Sequence, residues 1–349
     1  MKRKFYFSYM PLASVAMLSV SFFIPAGGVA DAADGGPDIS LVTHETSIGN
    51  AEILAIPSSL KISPDGKHMA FIAVRGDNWL LVTDGVLGKE YEGIGESSLV
   101  FSPEGNRIAY AAMKDNNWLL VVDGAEGAAN DGLRDVVFSP DGRRVAYAAN
   151  RGNNWSVVVD GVEGKKYDDC GEIVFSPDNR RVAYGANRGR NWSVIVDGTG
   201  GKEHDFICGI TFSPDSRRVA YEAKHGNNWS VVVDGNEGKE YDAVGRSGRK
   251  NPEGARKAYT ALRIDPQGVE PGDIVGESGP VFSPDSTRIA CWVRRGNKWL
   301  VIVDGFESKE YDGFIRGSNL VFDSPESLHA IAVLGKEALR VNIEIVEQK

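Results

Sequence analysis

Five segments of this sequence begin Phe-Ser-Pro-Asp or Phe-Ser-Pro-Glu, at Phe101, Phe138, Phe175, Phe212 and Phe282. A variant stands at Ile62-Ser63-Pro64-Asp65, and a worn copy at Phe322-Asp323-Ser324-Pro325. The full copies run on through Arg-Val-Ala-Tyr or a close variant, a basic loop, Asn-Trp and Val-Val-Asp-Gly. Trp118, Trp155, Trp192 and Trp229 follow one another at steps of 37 residues, Trp79 precedes them by 39, and Trp299 lies 70 further on. A fixed period of this size restricts the chain to a solenoid, an array or a propeller, because one unit cannot bury its own apolar faces and must stack on copies of itself.

Local chemistry chooses among these. In the copy at Phe138, Ser139-Pro140-Asp141-Gly142 is a turn: proline presets φ, aspartate tolerates the bend and glycine takes the left-handed position. Val145, Tyr147 and Ala149 alternate with Ala146 and Ala148, Asn150 to Asn154 form a short loop, and Trp155, Val157 and Val159 alternate again. Asp160-Gly161 starts a second tight turn into a short strand near Lys165–Tyr167. Each repeat is therefore a four-stranded antiparallel meander. Both faces are small or apolar, which suits blades packed face to face.

The expected fold is an all-β propeller, with seven blades favoured over eight. The last repeat supplies three strands (319–322, 328–333 and 339–345) and stops one short. Apolar segments at 39–43 and 53–56 are the candidates for an N-terminal strand that closes the ring and removes the exposed edges. The domain boundaries are a signal peptide over 1–32, an N-terminal segment with the closing strand over 33–57, and the propeller over 58–349. Within it, 244–280 is an insertion or a decayed repeat. Asn251 to Tyr259 lies in frame with the repeat, but its first strand would read Gly248-Arg249-Lys250, and buried cations without partners cannot fill an interface between blades.

The signal peptide is read from Lys2-Arg3-Lys4, the apolar run between Pro11 and Pro25, and the small residues of Ala30-Asp31-Ala32. The run is too short and too rich in serine for a membrane span, which needs about 20 apolar residues. No cysteine follows it in a position to carry a lipid. A soluble, periplasmic or extracellular monomer is expected. Cleavage after Ala32 would move the formal charge from −9 to −11 by removing three bases and one acid. Such acidity argues against nucleic acid as a partner, since a binder needs a basic footprint.

The Phe-Ser-Pro-Asp-Gly-x-Arg-Val-Ala-Tyr copies resemble the WD40-like repeats of TolB-type propellers, also found in the propeller domains of prolyl-oligopeptidase-type peptidases. The resemblance runs from about Ser58 to Val346 and implies fold far more than function. TolB proteins carry an N-terminal α/β domain for which this chain has no room, so their partners are not carried over. The peptidases carry a Gly-x-Ser-x-Gly elbow, and this sequence has none.

Chemistry is sparse. His44, His68, His204, His225 and His329 are scattered singly, with no metal-ligand spacing, and no phosphate or dinucleotide loop occurs. No catalytic residue, metal or cofactor is expected. Cys170 and Cys208 fall one position apart in aligned repeats, so a bridge is conceivable; the plainer reading makes them and Cys291 small buried side chains. The repeat does generate rings. One basic residue per copy precedes Gly-x-Asn-Trp (Arg75, Lys114, Arg151, Arg188, His225, Arg295). One acid follows the last strand (Glu92, Asp131, Asp168, Asp205, Asp242, Asp312). Opposite charges should crown one rim, either pairing between neighbouring blades or forming a docking face.

The stretch from Arg246 to Arg263 carries six bases against one acid. A basic loop on an acidic disc is a natural contact element. The favoured function is thus an exported, non-catalytic scaffold that binds a protein partner through Arg246, Arg249, Lys250, Arg256, Lys257 and Arg263, with Arg151, Arg188 and Arg295 on the rim. The alternatives are a carbohydrate-binding lectin that uses the repeat tryptophans as stacking faces, and a hydrolase or lyase built on the loops.

Overall fold

The computed structural model describes residues 54–245, 279–314, 319–335 and 337–346, and these are all-β, with short 3-10 turns as their helical content. They form seven antiparallel sheets in chain order. The third is representative: Gly132–Phe138, Val145–Arg151, Asn154–Val159 and Val162–Glu163 pair consecutively as an up-and-down meander. Its second strand buries Ala146, Tyr147, Ala148 and Ala149 in a row, so both faces are covered. Tyr147 and Ala149 pack with Ala109 and Leu120 of the second sheet, while Ala146 and Ala148 pack with Tyr184 and Ala186 of the fourth. Small residues on this strand let neighbouring sheets approach, and tyrosines fill the space between them. The same division of faces recurs from sheet to sheet, giving the blade architecture of a propeller.

Every first strand in the first six sheets is broken at its middle. In the third, fourth and fifth sheets the break is a bulge, with register shifts between Arg134 and Val137, Gly171 and Val174, and Cys208 and Thr211. Asp135, Glu172 and Gly209 take positive φ there. In the first and second sheets the break is a 3-10 turn, Pro57–Ser59 or Glu96–Ser98. In the sixth sheet it is the insertion. Ala243 and Val244 pair with Arg294 and Val293 before it, and Val281 and Phe282 pair with Ala290 and Ile289 after it. The extra residues thus enter where every other sheet already departs from regular pairing. This is a finer placement than the 244–280 boundary supplied, and residues 246–278 themselves lie outside the described residues.

The ends differ from expectation in one respect. Leu54–Ala55, within the 53–56 segment considered for ring closure, pairs with Val74 and Ala73 and forms the first half of the first sheet's own first strand. The other closing candidate, 39–43, lies outside the described residues, as does the whole of 1–32, expected to be a signal peptide. In the seventh sheet Gly313–Phe314 and Val321–Ser324 pair with one edge of Ser327–Leu334, and Glu337–Glu344 pairs with the other.

Candidate functional site

The two charged rings are brought to one edge of the sheets, but they do not pair with each other in the expected manner. The acids cap backbone. Asp131 accepts the Gly152 N–H at 2.7 Å, Asp168 the Gly189 N–H at 2.6 Å, Asp205 the Gly226 N–H at 2.6 Å and Asp242 the Gly296 N–H at 2.6 Å. Each acid thus holds the turn between the second and third strands of the sheet that follows it. The bases pair within their own sheet instead. Arg75 meets Glu90, Lys114 meets Glu126, Arg151 meets Glu163 and Arg295 meets Glu307, at 2.6 to 2.9 Å. Arg188 has Gly200 at the repeat position of those last three glutamates, and its guanidinium stacks 5.4 Å from the Tyr167 ring centroid. Such half-exposed pairs contribute about 0–1 kcal/mol each. Of the nine residues expected to meet a partner, Arg151, Arg188 and Arg295 are therefore already engaged; Arg246, Arg249, Lys250, Arg256, Lys257 and Arg263 lie outside the described residues.

A third network, on the opposite edge, uses the arginine of the repeat motif. Arg181 donates from Nε to Asp197 of its own sheet at 2.8 Å and from Nη1 to the Ser216 and Arg217 carbonyls of the next sheet at 3.1 and 2.8 Å. Its guanidinium also lies 5.3 Å from the Phe212 centroid. Arg107, Arg144 and Arg218 repeat this geometry. Arg218 spans to Ser286 and Thr287 across the inserted segment, so the sixth sheet sits against the fifth as any other pair does. The Ser-Pro-Asp turn beneath is tied by Ser139 Oγ donating to Asp141 at 2.6 Å and accepting the Arg144 N–H at 2.9 Å. The serine hydroxyl, followed by the Arg143 N–H, holds the Asp141 carboxyl below its usual range.

The tryptophans are packing residues. Trp79, Trp155, Trp192 and Trp229 lie half-buried against the clusters between sheets, and Trp299 is buried in one. The Arg134 guanidinium covers one face of Trp155 at 4.2 Å, and Phe206 stands edge-on between Trp192 and Trp229. The cysteines are free thiols. Burial pushes the Cys170 thiol up to about 12, Cys291 is fully buried, and Cys208 donates to the carboxylate of Glu222 at 3.2 Å. Glu222 is itself fully buried at a position where the second, third and fourth sheets have Ala111, Ala148 and Gly185. Sequence reading passed over it, although an acid inside an otherwise small and apolar strand is a visible signal. Between the outer strands of the fifth and sixth sheets lies a hollow of about 300 Å³, lined by Val231, Tyr241, Cys291 and Ile302 among others.

One junction departs from the rest. At the end of the fourth sheet's last strand, Thr199–His204, stands His204 where other sheets place Tyr91, Tyr167 or Tyr241. At the end of the fifth sheet's second strand, Val219–His225, stands His225 where the first four sheets and the sixth place lysine or arginine. His204 Nδ1 and His225 Nε2 are 2.9 Å apart, and His225 Nε2 is 3.5 Å from Glu237 Oε2. The ligand-capable atoms of all three lie within 4.8 Å of one another, the one such group among the described residues with the composition to hold a metal ion. His204 is 2% exposed, its Nε2 is 3.3 Å from the Tyr221 hydroxyl, and burial followed by the His225 charge depresses its pKa. Burial raises the Tyr221 hydroxyl to about 12. Along the sequence both histidines stand singly; the repeat register brings them together.

No protein-family model matches this chain, and no curated protein does. Solved structures similar to it include a putative TolB from Agrobacterium tumefaciens, 15% identical over 54% of this chain and 86% of that one, with a TM-score of 0.32. The β-propeller domain of the trilobed protease from Pyrococcus furiosus is 9% identical over 85% of this chain and 96% of that one, with a TM-score of 0.35. The Dos1 propeller is 12% identical over 82% and 80%, with a TM-score of 0.40. Superpositions this loose add nothing to the assignment, which rests on the chain's own sheets: seven antiparallel, propeller-type units in sequence order.

Proposed function

We propose that the chain is an exported, non-catalytic propeller scaffold that binds a protein partner through the element interrupting its sixth sheet. The ring in this reading has seven blades and is closed by an N-terminal strand. The observation that carries the binding role is the undisturbed register on both sides of the insertion, together with the Arg218 contacts spanning it. The described pairings on either side are made by Ala243–Val244 and Val281–Phe282 with the second strand of the sheet. The rim acids, most rim bases and the motif arginines hold sheets and turns, and the insertion adds a segment of six bases against one acid to an otherwise acidic chain.

Deleting 251–272 tests this. Affinity capture from the native envelope fraction is expected to enrich a protein with the full chain and to lose it with the deletion. Thermal unfolding should stay within about 1–2 °C, since the pairings described for the sheets are made by other residues. An identical set of captured proteins, or a deletion that unfolds the sheets, sinks the reading.

A further inference from the structure

At five successive junctions the same three repeat positions recur: the residue paired with one sheet's repeat tryptophan, the last residue of the next sheet's second strand, and the residue two past the Asp-Gly turn in that next sheet. At the fifth junction they are Tyr241, Arg295 and Glu307, where the Tyr241 hydroxyl donates to Glu307 at 3.1 Å and Arg295 donates at 2.6 Å. At the second they are Asn130, Arg151 and Glu163, joined at 2.9 and 2.8 Å. The middle group at four of the five is a permanent cation with no lone pair, so those junctions repel metal ions. The fourth junction alone substitutes imidazole at both the first and the middle position and keeps the glutamate: His204, His225 and Glu237.

From this arrangement we infer that His204 Nδ1, His225 Nε2 and Glu237 Oε2 form a binding site for a divalent transition-metal ion, with zinc the best match. Two neutral imidazoles and a carboxylate are borderline donors, suited to zinc, cobalt or nickel over calcium or magnesium. The two ring nitrogens lie at hydrogen-bond distance, 2.9 Å apart. An ion bound tetrahedrally at about 2.0–2.1 Å needs them about 3.3 Å apart, a small opening. His225 can supply it, being half-exposed and followed by the turn at Gly226.

The surrounding residues fit the assignment. Tyr221, 3.3 Å from His204 Nε2, can accept that nitrogen's proton in a hydrogen bond, which fixes the tautomer with the Nδ1 lone pair free for the ion. Lys202 lies 3.7 Å from Glu237 Oε1 and leaves Oε2 to the metal. Three protein ligands, His204 buried and His225 and Glu237 partly exposed, leave a fourth position for water or a ligand atom. The ion would also join the fourth and fifth sheets, so occupancy should raise stability by mass action.

The test uses the untagged full chain with zinc or cobalt salts alone. Calorimetry is expected to show one zinc ion per chain, cobalt to give the visible absorption bands of a tetrahedral site, and zinc to raise the unfolding midpoint. His204→Tyr combined with His225→Arg restores the residues of the fifth junction, so this variant should fold as well as the metal-free parent while losing the cobalt bands and the zinc-dependent rise. Glu237→Gln, which leaves both histidines in place, should weaken zinc binding about tenfold or more, and Tyr221→Phe about tenfold. A parent chain that takes up no zinc overturns the inference. So does a double variant, or a Glu237→Gln variant, that binds zinc with unchanged affinity.

Discussion

The motif arginine should matter far more than its neighbour, and Arg180 and Arg181 put the two side by side. Arg181→Ala removes the ion pair with Asp197, two hydrogen bonds to carbonyls of the next sheet and the contact with Phe212. Its side chain is 32% exposed and that of Asp197 45%, so the ion pair is discounted to about 0.5 kcal/mol. Hydrogen bonds from a charged donor are worth about 1.5–3 kcal/mol when buried, and about 1 each here after solvent screening. The ring contact adds about 0.5 kcal/mol. A loss of about 2–3 kcal/mol is expected, whereas Arg180→Ala should stay within about 0.5 kcal/mol. Arg180 is exposed, and its N–H to Asp178 survives the change because it belongs to the backbone. Arg181→Lys should recover under half of the loss, since an ammonium cannot fork between Asp197 and two carbonyls. Urea unfolding followed by tryptophan fluorescence reads the midpoint, and the slope should be unchanged. Equal shifts for Arg180→Ala and Arg181→Ala would refute the idea that this arginine bolts successive sheets together.

Acid should act through the turn aspartates. Asp65, Asp141, Asp178, Asp215 and Asp285 are all held below the usual carboxyl range, first by a serine hydroxyl. A depressed folded-state pKa gives stability that is complete above about pH 4 and is lost as pH falls through the folded values. Ser139→Ala with Ser176→Ala should therefore move the acid-unfolding midpoint to higher pH; an unmoved midpoint contradicts the role given to the serines. Among the thiols, Cys208 should react first with a disulfide reagent in the native protein, while Cys170 and Cys291 wait for unfolding. A native-state reaction of Cys291 as fast as that of Cys208 would show that the sixth sheet's interior is open.

The meander was legible in the sequence because its signals are local. Ser139-Pro140-Asp141-Gly142 and Asp160-Gly161 mark turns through backbone preference alone, and Tyr147 and Trp155 fall on strands through alternation of period two. The partners of the charged residues were not legible, because they depend on how one repeat sits on the next. Arg181 reads as a solubilising surface residue until the carbonyls of Ser216 and Arg217 are placed beside it. The rim acids read as partners for the rim bases, yet the turn N–H groups at Gly152 and Gly189 need acceptors and lie nearer. His204 and His225 lie 21 residues apart and match no metal spacing along the chain. Only the repeat alignment would have found them, since they occupy the tyrosine and arginine positions that meet across every junction.

A frame in which each sheet touches only its neighbours confines the cost of a departure to one junction, so departures can accumulate without unfolding the rest. Here they gather around a single unit. The fifth sheet supplies His225 and Glu237 to the histidine junction, and it carries the buried Glu222 where the second, third and fourth sheets keep a small residue. Its first strand also meets the far end of the insertion. Gly209, at φ +68°, lies so close to Gly279 that a Cβ built on Gly279 would sit 3.2 Å from the Gly209 Cα, tighter than side chains ordinarily pack. Glu222 borders the same contact, with Oε1 3.3 Å from where a Gly209 Cβ would stand. The third sheet and its neighbours keep the repeat because their residues are spent on stacking. The fifth sheet keeps the Arg218 bolt and the serine-capped turn, which are what stacking requires, and changes the positions that stacking does not fix. The unit thus combines the stacking frame of the repeat with altered residues on its second strand, Glu222 and His225, and at its first-strand bulge, Gly209.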